Sequence, residues 1–268
     1  RLSWKGEEAL REAKSLLEAV GPEVYKETGI LRLALNEKQE KAFRQRAEER
    51  EDIEWWSAEQ CHVFAPGIHY LPGIFVKSGI TVHASLYLKG LWKVCEKGGA
   101  RFEQRQVALS DLGAFDQVVL AAGGGIRLFE ESRHFDLEFN KGQILVCDRP
   151  KFWQEKTSLT GKGYLAVSEK QDQCYLGSTY ERNYHTEDPC LGTASDLILL
   201  QASEYLPAMG AFRVQGCRAA MRVTSSKSYH PIACQIGQNL FVMTGMGSRG
   251  LLYHGYLGKA LTEMMRSA

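Results

Sequence analysis

The sequence predicts an α/β fold with an α+β part, in which a nucleotide-type parallel sheet is interleaved with an antiparallel one. Three observations predict it. The apolar run Val118 to Ala122 lacks alternation, as a strand covered on both faces should, and it ends in Gly123-Gly124-Gly125. A second run, Leu240-Phe241-Val242-Met243, leads into Thr244-Gly245-Met246-Gly247-Ser248-Arg249-Gly250 and then a helix. Between these two, from residue 136 onward, strand-like segments alternate or carry β-branched and aromatic residues, which favours antiparallel pairing.

The elements follow in order. Residues 3–20 read as a helix with Leu10, Ala13, Leu17 and Val20 at helical spacing, Ser3 as N-cap and Gly21-Pro22 as the stop. Residues 29–35 alternate like a strand, and a charged helix spans 37–50. Four of the six residues from Glu48 to Ile53 are acidic, which reads as a solvated face. Short strands and turns fill 53–76. Thr81 to Glu96 carries Ala84, Leu88, Leu91 and Cys95 on one face, a helix closed by Gly98-Gly99. Strands are predicted at 100–107 and 115–122, then at 137–147, 163–168 and 173–180. A helix at 193–206 with Leu199, Ala202 and Leu206 on one face and a strand at 211–224 precede the closing turn. The last helix spaces Leu257, Ala260, Leu261 and Met264 at i, i+3, i+4 and i+7.

Composition narrows the function classes. A chain of 268 residues that is 44% hydrophobic and 24% charged can bury a large core. Its formal net charge of +1 exerts no general pull on nucleic acid or anionic membrane. No apolar stretch approaches the roughly 20 residues needed to span a bilayer, and no secretory signal opens the chain. Seven singly scattered cysteines, with no C-x-x-C pair, suit a reducing cytoplasm. The seven histidines show no metal-ligand spacing, so no metal site is expected. Arg1-Leu2-Ser3-Trp4 has no Met and runs straight into a helix, so the expectation is a chain that begins inside a longer gene product.

The glycine corners are the first candidates for chemistry. Three glycines after a buried strand let a ligand approach the carboxyl end of a sheet. Gly245, Gly247 and Gly250 would take positive φ, and the following helix start offers free N–H groups to an electron-rich ligand. Arg222 and Arg249 are candidates for a carboxylate site, because a guanidinium matches a carboxylate in bidentate fashion. Arg218 would face the same side of a strand as Arg222 but reads as an ordinary surface arginine. Tyr70 and Tyr180 read as packing, His230 as a turn residue, and Cys217 and Cys234 as thiols rather than cofactor tethers. No Ser-His-Asp arrangement or specific carboxylate pair stands out.

Nearly the whole chain resembles the FAD-dependent amino-acid oxidase superfamily. The marks are Val118-Val-Leu-Ala-Ala-Gly123, Lys141-Gly-Gln143, Gly163-Tyr164 with Leu176-Gly-Ser-Thr-Tyr180, and Arg218-Ala-Ala-Met-Arg222. The most specific, Gly245-Met-Gly-Ser-Arg-Gly-Leu251, is similar to the C-terminal oxidoreductase domains of bifunctional tRNA 5-methylaminomethyl-2-thiouridine biosynthesis enzymes. The resemblance implies a Rossmann-like FAD-binding domain from residues 1–23, 75–135 and 232–268, its first βαβ element absent. Residues 24–74 and 136–231 would form the antiparallel substrate domain. It implies that Gly123 and Gly124 lie near the dinucleotide, and Val107 in the strand approaching the adenine. Gly245, Gly247, Ser248, Arg249, Gly250 and Leu251 would line the flavin ring. Arg222 and Arg249 would hold the carboxylate of an amino-acid-like substrate whose C–N bond is oxidised.

Two departures stand beside the resemblance. The family's opening strand, G-x-G-x-x-G turn and acidic ribose-binding residue have no match here, so FAD should bind poorly and the sheet should lack a central strand. The Arg222 to Pro231 loop is one residue longer than usual, and Lys227 or Ser228 stands where an acid is often found. Two expectations therefore stay open. One is an FAD-dependent oxidoreductase acting on a secondary amine or amino acid, with the carboxymethylaminomethyl group of tRNA uridine as a candidate substrate. The other is a truncated or degenerate relative that binds a partner without flavin. A nicotinamide dehydrogenase is disfavoured by the absent fingerprint and the antiparallel middle.

Overall fold

A computed structural model of the protein describes residues 3–151, 153, 157–207 and 209–267; Arg1 and Leu2 lie outside them. Helix α1 (Gly6–Val20) buries Ala9, Ala13 and Leu17, while Leu10 stays exposed. Its N-cap is Lys5 at φ 50 rather than the expected Ser3, which contributes only its carbonyl to Gly6 N at 2.9 Å. Gly21, at φ 138, ends the helix with its N–H on the Leu17 carbonyl. Helix α1 packs on α4 (Ala84–Lys97) and α6 (Gly250–Ser267). The approach to α6 is close, since a Cβ on Gly255 would stand 3.1 Å from the Glu12 carbonyl.

Helix α4 corrects one expectation. Leu88 is 62% exposed and Ala84 and Cys95 also face solvent, while Tyr87 is buried. The helix is rotated so that Tyr87 reaches His254 of α6, where the phenol oxygen and Nε2 share a hydrogen bond of 2.6 Å. In α6 the buried positions are Tyr253, Gly255, Leu257 and Leu261, and Met264 is exposed.

Two main sheets share the chain. The smaller has the order β12 (Ile232–Gly237), β13 (Leu240–Thr244), β6 (Val118–Leu120). Strands β13 and β6 are parallel, with Leu240, Phe241 and Val242 opposite Val118, Val119 and Leu120. Only Leu120 of the β6 run is fully buried, because β6 is an edge strand, so the two-sided cover expected for this run is only partial. Residues 101–108 form no strand, against expectation, and Val107 sits in an exposed loop. Strand propensity without a neighbour leaves the backbone donors to water, and no described strand runs beside this segment.

The larger sheet has eight strands in the order β11 (Val214–Ser225), β7 (Leu137–Asp148), β10 (Gln173–Gly177), β9 (Gly163–Val167), β8 (Ser158–Gly161), β2 (Ile30–Leu33), β4 (Gly73–Val76), β3 (Ile53–Trp56). All neighbours are antiparallel except β2 and β8. Strands β1 (Tyr25–Lys26) and β5 (Thr81–Val82) form a separate pair. One face of the large sheet is the main core: Leu145, Leu159, Leu165 and Leu176 pack under Ala194, Ile198 and Ala202 of α5 (Leu191–Ala202). Helix α2 (Glu37–Glu49) flanks β3 and β4. The reading of 53–76 as strands and turns missed α3 (Ala58–Phe64), which opens on a capping box between Ser57 and Gln60. No helix among the described residues is long and apolar enough to cross a membrane.

Candidate active site

The face of the large sheet opposite α5 carries a row of residues that register alone brings together. Thr160 pairs with Tyr164, Tyr164 with Gly177, Gly177 with Ile144, and Ile144 with Arg218, across β8, β9, β10, β7 and β11. Directly paired residues lie on the same face, with strands about 4.8 Å apart. A cavity of about 360 Å³ lies over this row, walled by Thr81 to Ser85 on one side and by Leu251 on another. Gly177 is needed here because the Tyr164 hydroxyl comes within 2.6 Å of where a Cβ would stand. Burial pushes the Tyr164 phenol upward, and the charge of Arg222 partly opposes the shift. Thr160 Oγ1 is buried with no hydrogen-bond partner among the described residues. His83, buried in the cavity wall, is pushed below the usual histidine range by desolvation, against the pull of Glu169.

Arg222 is held firmly. Its Nη1 donates to the Thr179 carbonyl at 2.8 Å and its Nη2 to Ser178 Oγ at 2.9 Å. The guanidinium lies flat on Gly142, where any Cβ would run into it, which explains the glycine of Lys141-Gly-Gln143. Arg222 pairs with Asn140, whose Nδ2 is buried without a partner among the described residues. Tyr180 covers the guanidinium with its ring centroid 6.0 Å from Cζ. A planar cation with two donors spent on the protein keeps other N–H groups for a carboxylate.

Among the described residues Arg249 shares no hydrogen-bond or ring partner with Arg222. Its Nη2 donates to the Tyr229 carbonyl at 2.7 Å, and its Cζ lies 5.5 Å from the Tyr253 ring centroid. The glycine corners do come together. Because β6 and β13 are parallel and in register, Gly123 and Gly245 leave the sheet from the same edge. Both corners also rest on β11: a Cβ on Gly124 would meet Met221 at 3.0 Å, and one on Gly247 would meet Thr224 Oγ1 at 2.8 Å. Gly123, Gly245 and Gly247 have φ of 53, 75 and 55, as the turn requires. Gly250, at φ −55, is already helical, which corrects the expectation of positive φ there. Ser248 is exposed at the tip of the turn.

Other candidates fall outside. Tyr70 is 65% exposed and its ring meets His62 rather than the cavity. His230 stacks on Trp4 at 5.1 Å. Cys61, Cys147 and Cys174 are buried and pushed up to about 12 by desolvation, so they are inert thiols. Cys217 and Cys234 are half-buried and also raised by burial. The described residues contain no cluster of three or more metal-ligating side chains. Sequence reasoning passed over Thr160 and set Arg218 aside; only the pairing register reveals that both border the cavity.

Tested against a flavin dinucleotide, the residues fit one end. A Cβ on Gly123 or Gly250 would meet nothing within 4 Å, so backbone lies bare at the carboxyl edge of two parallel strands. Leu251 carries that edge into the cavity. The pyrophosphate end is unprovided, because the outer edge of β6 has no described strand beside it and hence no glycine turn leading to a helix.

Comparison with known proteins agrees with this geometry. The model of the family described as DAO, FAD dependent oxidoreductase, matches residues 2–264. The tRNA 5-methylaminomethyl-2-thiouridine biosynthesis bifunctional protein MnmC of Idiomarina loihiensis is 27% identical over 183 residues, 67% of this chain. That alignment spans only 30% of the relative's own length. Among solved structures, glycine oxidase from Bacillus cereus superposes with a TM-score of 0.78 at 19% identity, covering 97% of this chain and 82% of that one. Iminodiacetate oxidase from Chelativorans sp. BNC1 gives 0.81 at 18% identity, covering 97% and 79%. At these identities the superpositions show the shared fold, an α/β architecture with a large mixed sheet. With the family model spanning almost its full length, the chain belongs to the DAO family of FAD-dependent oxidoreductases.

Proposed function

We propose that the chain oxidises the C–N bond of an amino-acid-like or secondary-amine substrate whose carboxylate is held by Arg222. The observation that carries this reading is the Arg222 guanidinium, pinned flat on Gly142 beside the Tyr164 phenol, at the cavity side of the large sheet. A bound FAD would supply the two-electron acceptor. Arg222 would bind and orient the carboxylate, and the Tyr164 hydroxyl would donate to the same group. Ile144 would form an apolar floor that excludes water beneath the amine. Positioning of this kind reduces the entropy lost on reaching the reactive geometry. On this reading residues 1–23, 75–135 and 232–268 serve the flavin and 24–74 and 136–231 the substrate.

Calorimetric titration with sarcosine tests the carboxylate site. Arg222→Ala is expected to weaken binding roughly 10- to 100-fold, the range for a charge-assisted pair. Unchanged affinity in a folded variant would remove Arg222 from the site. The finer reading, a carboxymethylaminomethyl group on tRNA uridine, is supported by the name of the Idiomarina relative and by Gly245-Met-Gly-Ser-Arg-Gly-Leu251. It requires tRNA affinity that falls steeply with salt.

No described strand lies beside the outer edge of β6, and this supports a second reading, a relative that binds a partner without flavin. Titrating the protein with FAD separates the two. A perturbed flavin absorption band supports the oxidoreductase, and an unperturbed one in the folded protein supports the partner-binding relative.

A further inference from the structure

Arg218 extends from the same face of β11 as Arg222, and the described residues offer its guanidinium no carboxylate within 4 Å and no hydrogen-bond acceptor. Its guanidinium lies over the Tyr175 ring, 5.5 Å from Cζ to the centroid. Glu169 is the nearby acid, but it accepts from the Tyr175 hydroxyl at 3.2 Å and from Ser168 Oγ at 3.2 Å, which fixes the ring under the guanidinium. We infer that Arg218, which lines the cavity, reads a second anionic group on the substrate, four residues along the same face of β11 from Arg222. This inference rests on the proposed carboxylate site.

Spacing sets the substrate class. Four residues of extended strand separate the two arginines, about 13 Å between Cα atoms. Both side chains lean the same way by the same amount. Arg222 pairs with Asn140 but lies on Gly142, two residues along β7. Arg218 pairs with Ile144 but lies on Tyr175, whose pair on β7 is Val146, again two residues along. The guanidiniums therefore keep the spacing of their backbones. Between them run Ala220, paired with Gly142, and Ile144, a narrow apolar trough. A trough with a cation at each end suits a secondary amine carrying a carboxylate on one arm and a carboxylate or phosphate on the other. The two anions would then lie about 7 to 13 Å apart, since each guanidinium fork reaches about 3 Å to its oxygen partners, along the trough or across it.

Three probes test this by calorimetry on the whole chain: N-carboxymethyl-6-aminohexanoate, N-carboxymethyl-5-aminopentyl phosphate, and N-hexylglycine, which lacks the distal anion. The anion-ended probes are expected to bind about tenfold more tightly than N-hexylglycine. Arg218→Ala should erase that ratio, and Arg218→Lys should keep part of it, because charge survives without the planar fork. A gain confined to the phosphate probe, or to the dicarboxylate, supports the inference and identifies the anion. Equal affinity for all three probes, or a ratio that survives Arg218→Ala, overturns it. Equal weakening of all three by Arg218→Ala, with a changed FAD titration, also overturns it by moving Arg218 to the cofactor. Arg222→Ala serves as the separate control: if it changes none of the three affinities, the carboxylate site fails, whatever Arg218 does to the ratio.

Discussion

The two sheets of this protein are finished to different degrees. The eight-stranded sheet closes its core on its own, with Leu145, Leu159, Leu165 and Leu176 each at 0% exposure beneath α5. The three-stranded sheet ends at β6, whose Val118 and Val119 are only half-buried and whose outer edge has no described strand beside it. The difference teaches where each function has its support. The carboxylate and the proposed second-anion positions both lie on β11, itself the last strand of the large sheet, but one that pairs along β7 from Val214 to Ser225, so their spacing is set by a long hydrogen-bonded ladder. The glycine corners belong to the unfinished one.

The largest effect should come from the finished core. Leu145→Ala on β7, which is paired on both sides, is expected to cost about 3 kcal/mol, as a buried leucine truncation does, and to lower the denaturant midpoint accordingly. Leu120→Ala on β6 should cost about 2 kcal/mol or less, since an edge can relax around the lost volume. Equal costs would erase the contrast between the sheets.

A smaller effect should appear with pH on the helical side of the small sheet. Burial holds His254 below its ordinary value of 6.5, and its neutral Nε2 meets the Tyr87 hydroxyl. A depressed histidine contributes stability that is complete above the unfolded value and is lost as pH falls toward the folded one. Unfolding midpoints should therefore drop below pH 6.5, by at most ~1.4 kcal/mol per pH unit for this one proton. His254→Asn should flatten the slope; an unchanged slope would assign it elsewhere, His83 being the other buried histidine with a lowered value. The smallest effect belongs to the outer margin of the large sheet. Ser57→Ala removes the N-cap of α3 and should cost about 1 kcal/mol, visible as a slight fall in melting temperature.

Much of this was legible in the residues. Helical spacing located α1, α4 and α6, and alternation located β2, β7 and β11, because both periods are local. The strand expected at 100–107 failed because pairing depends on a neighbour, which propensity does not encode. The inward face of α4 was misread because Tyr87 answers to His254, 167 positions away. At the site, glycines and arginines were legible as types with few uses. Thr160 and Arg218 were not, since an isolated threonine or arginine says nothing about what lies across four strands.

The row from Thr160 to Arg218 has a consequence for how selectivity can change. Each of its five members comes from a different strand, so none is a chain neighbour of another. A substitution at one position leaves the backbone of the other four untouched, and ligand preference can be retuned one contact at a time. A slip of one residue in a strand would instead turn that strand's contribution toward α5 and, in β7, β8, β9 or β10, could put Leu145, Leu159, Leu165 or Leu176 in the cavity. Binding preference and correct strand alignment are therefore inherited together.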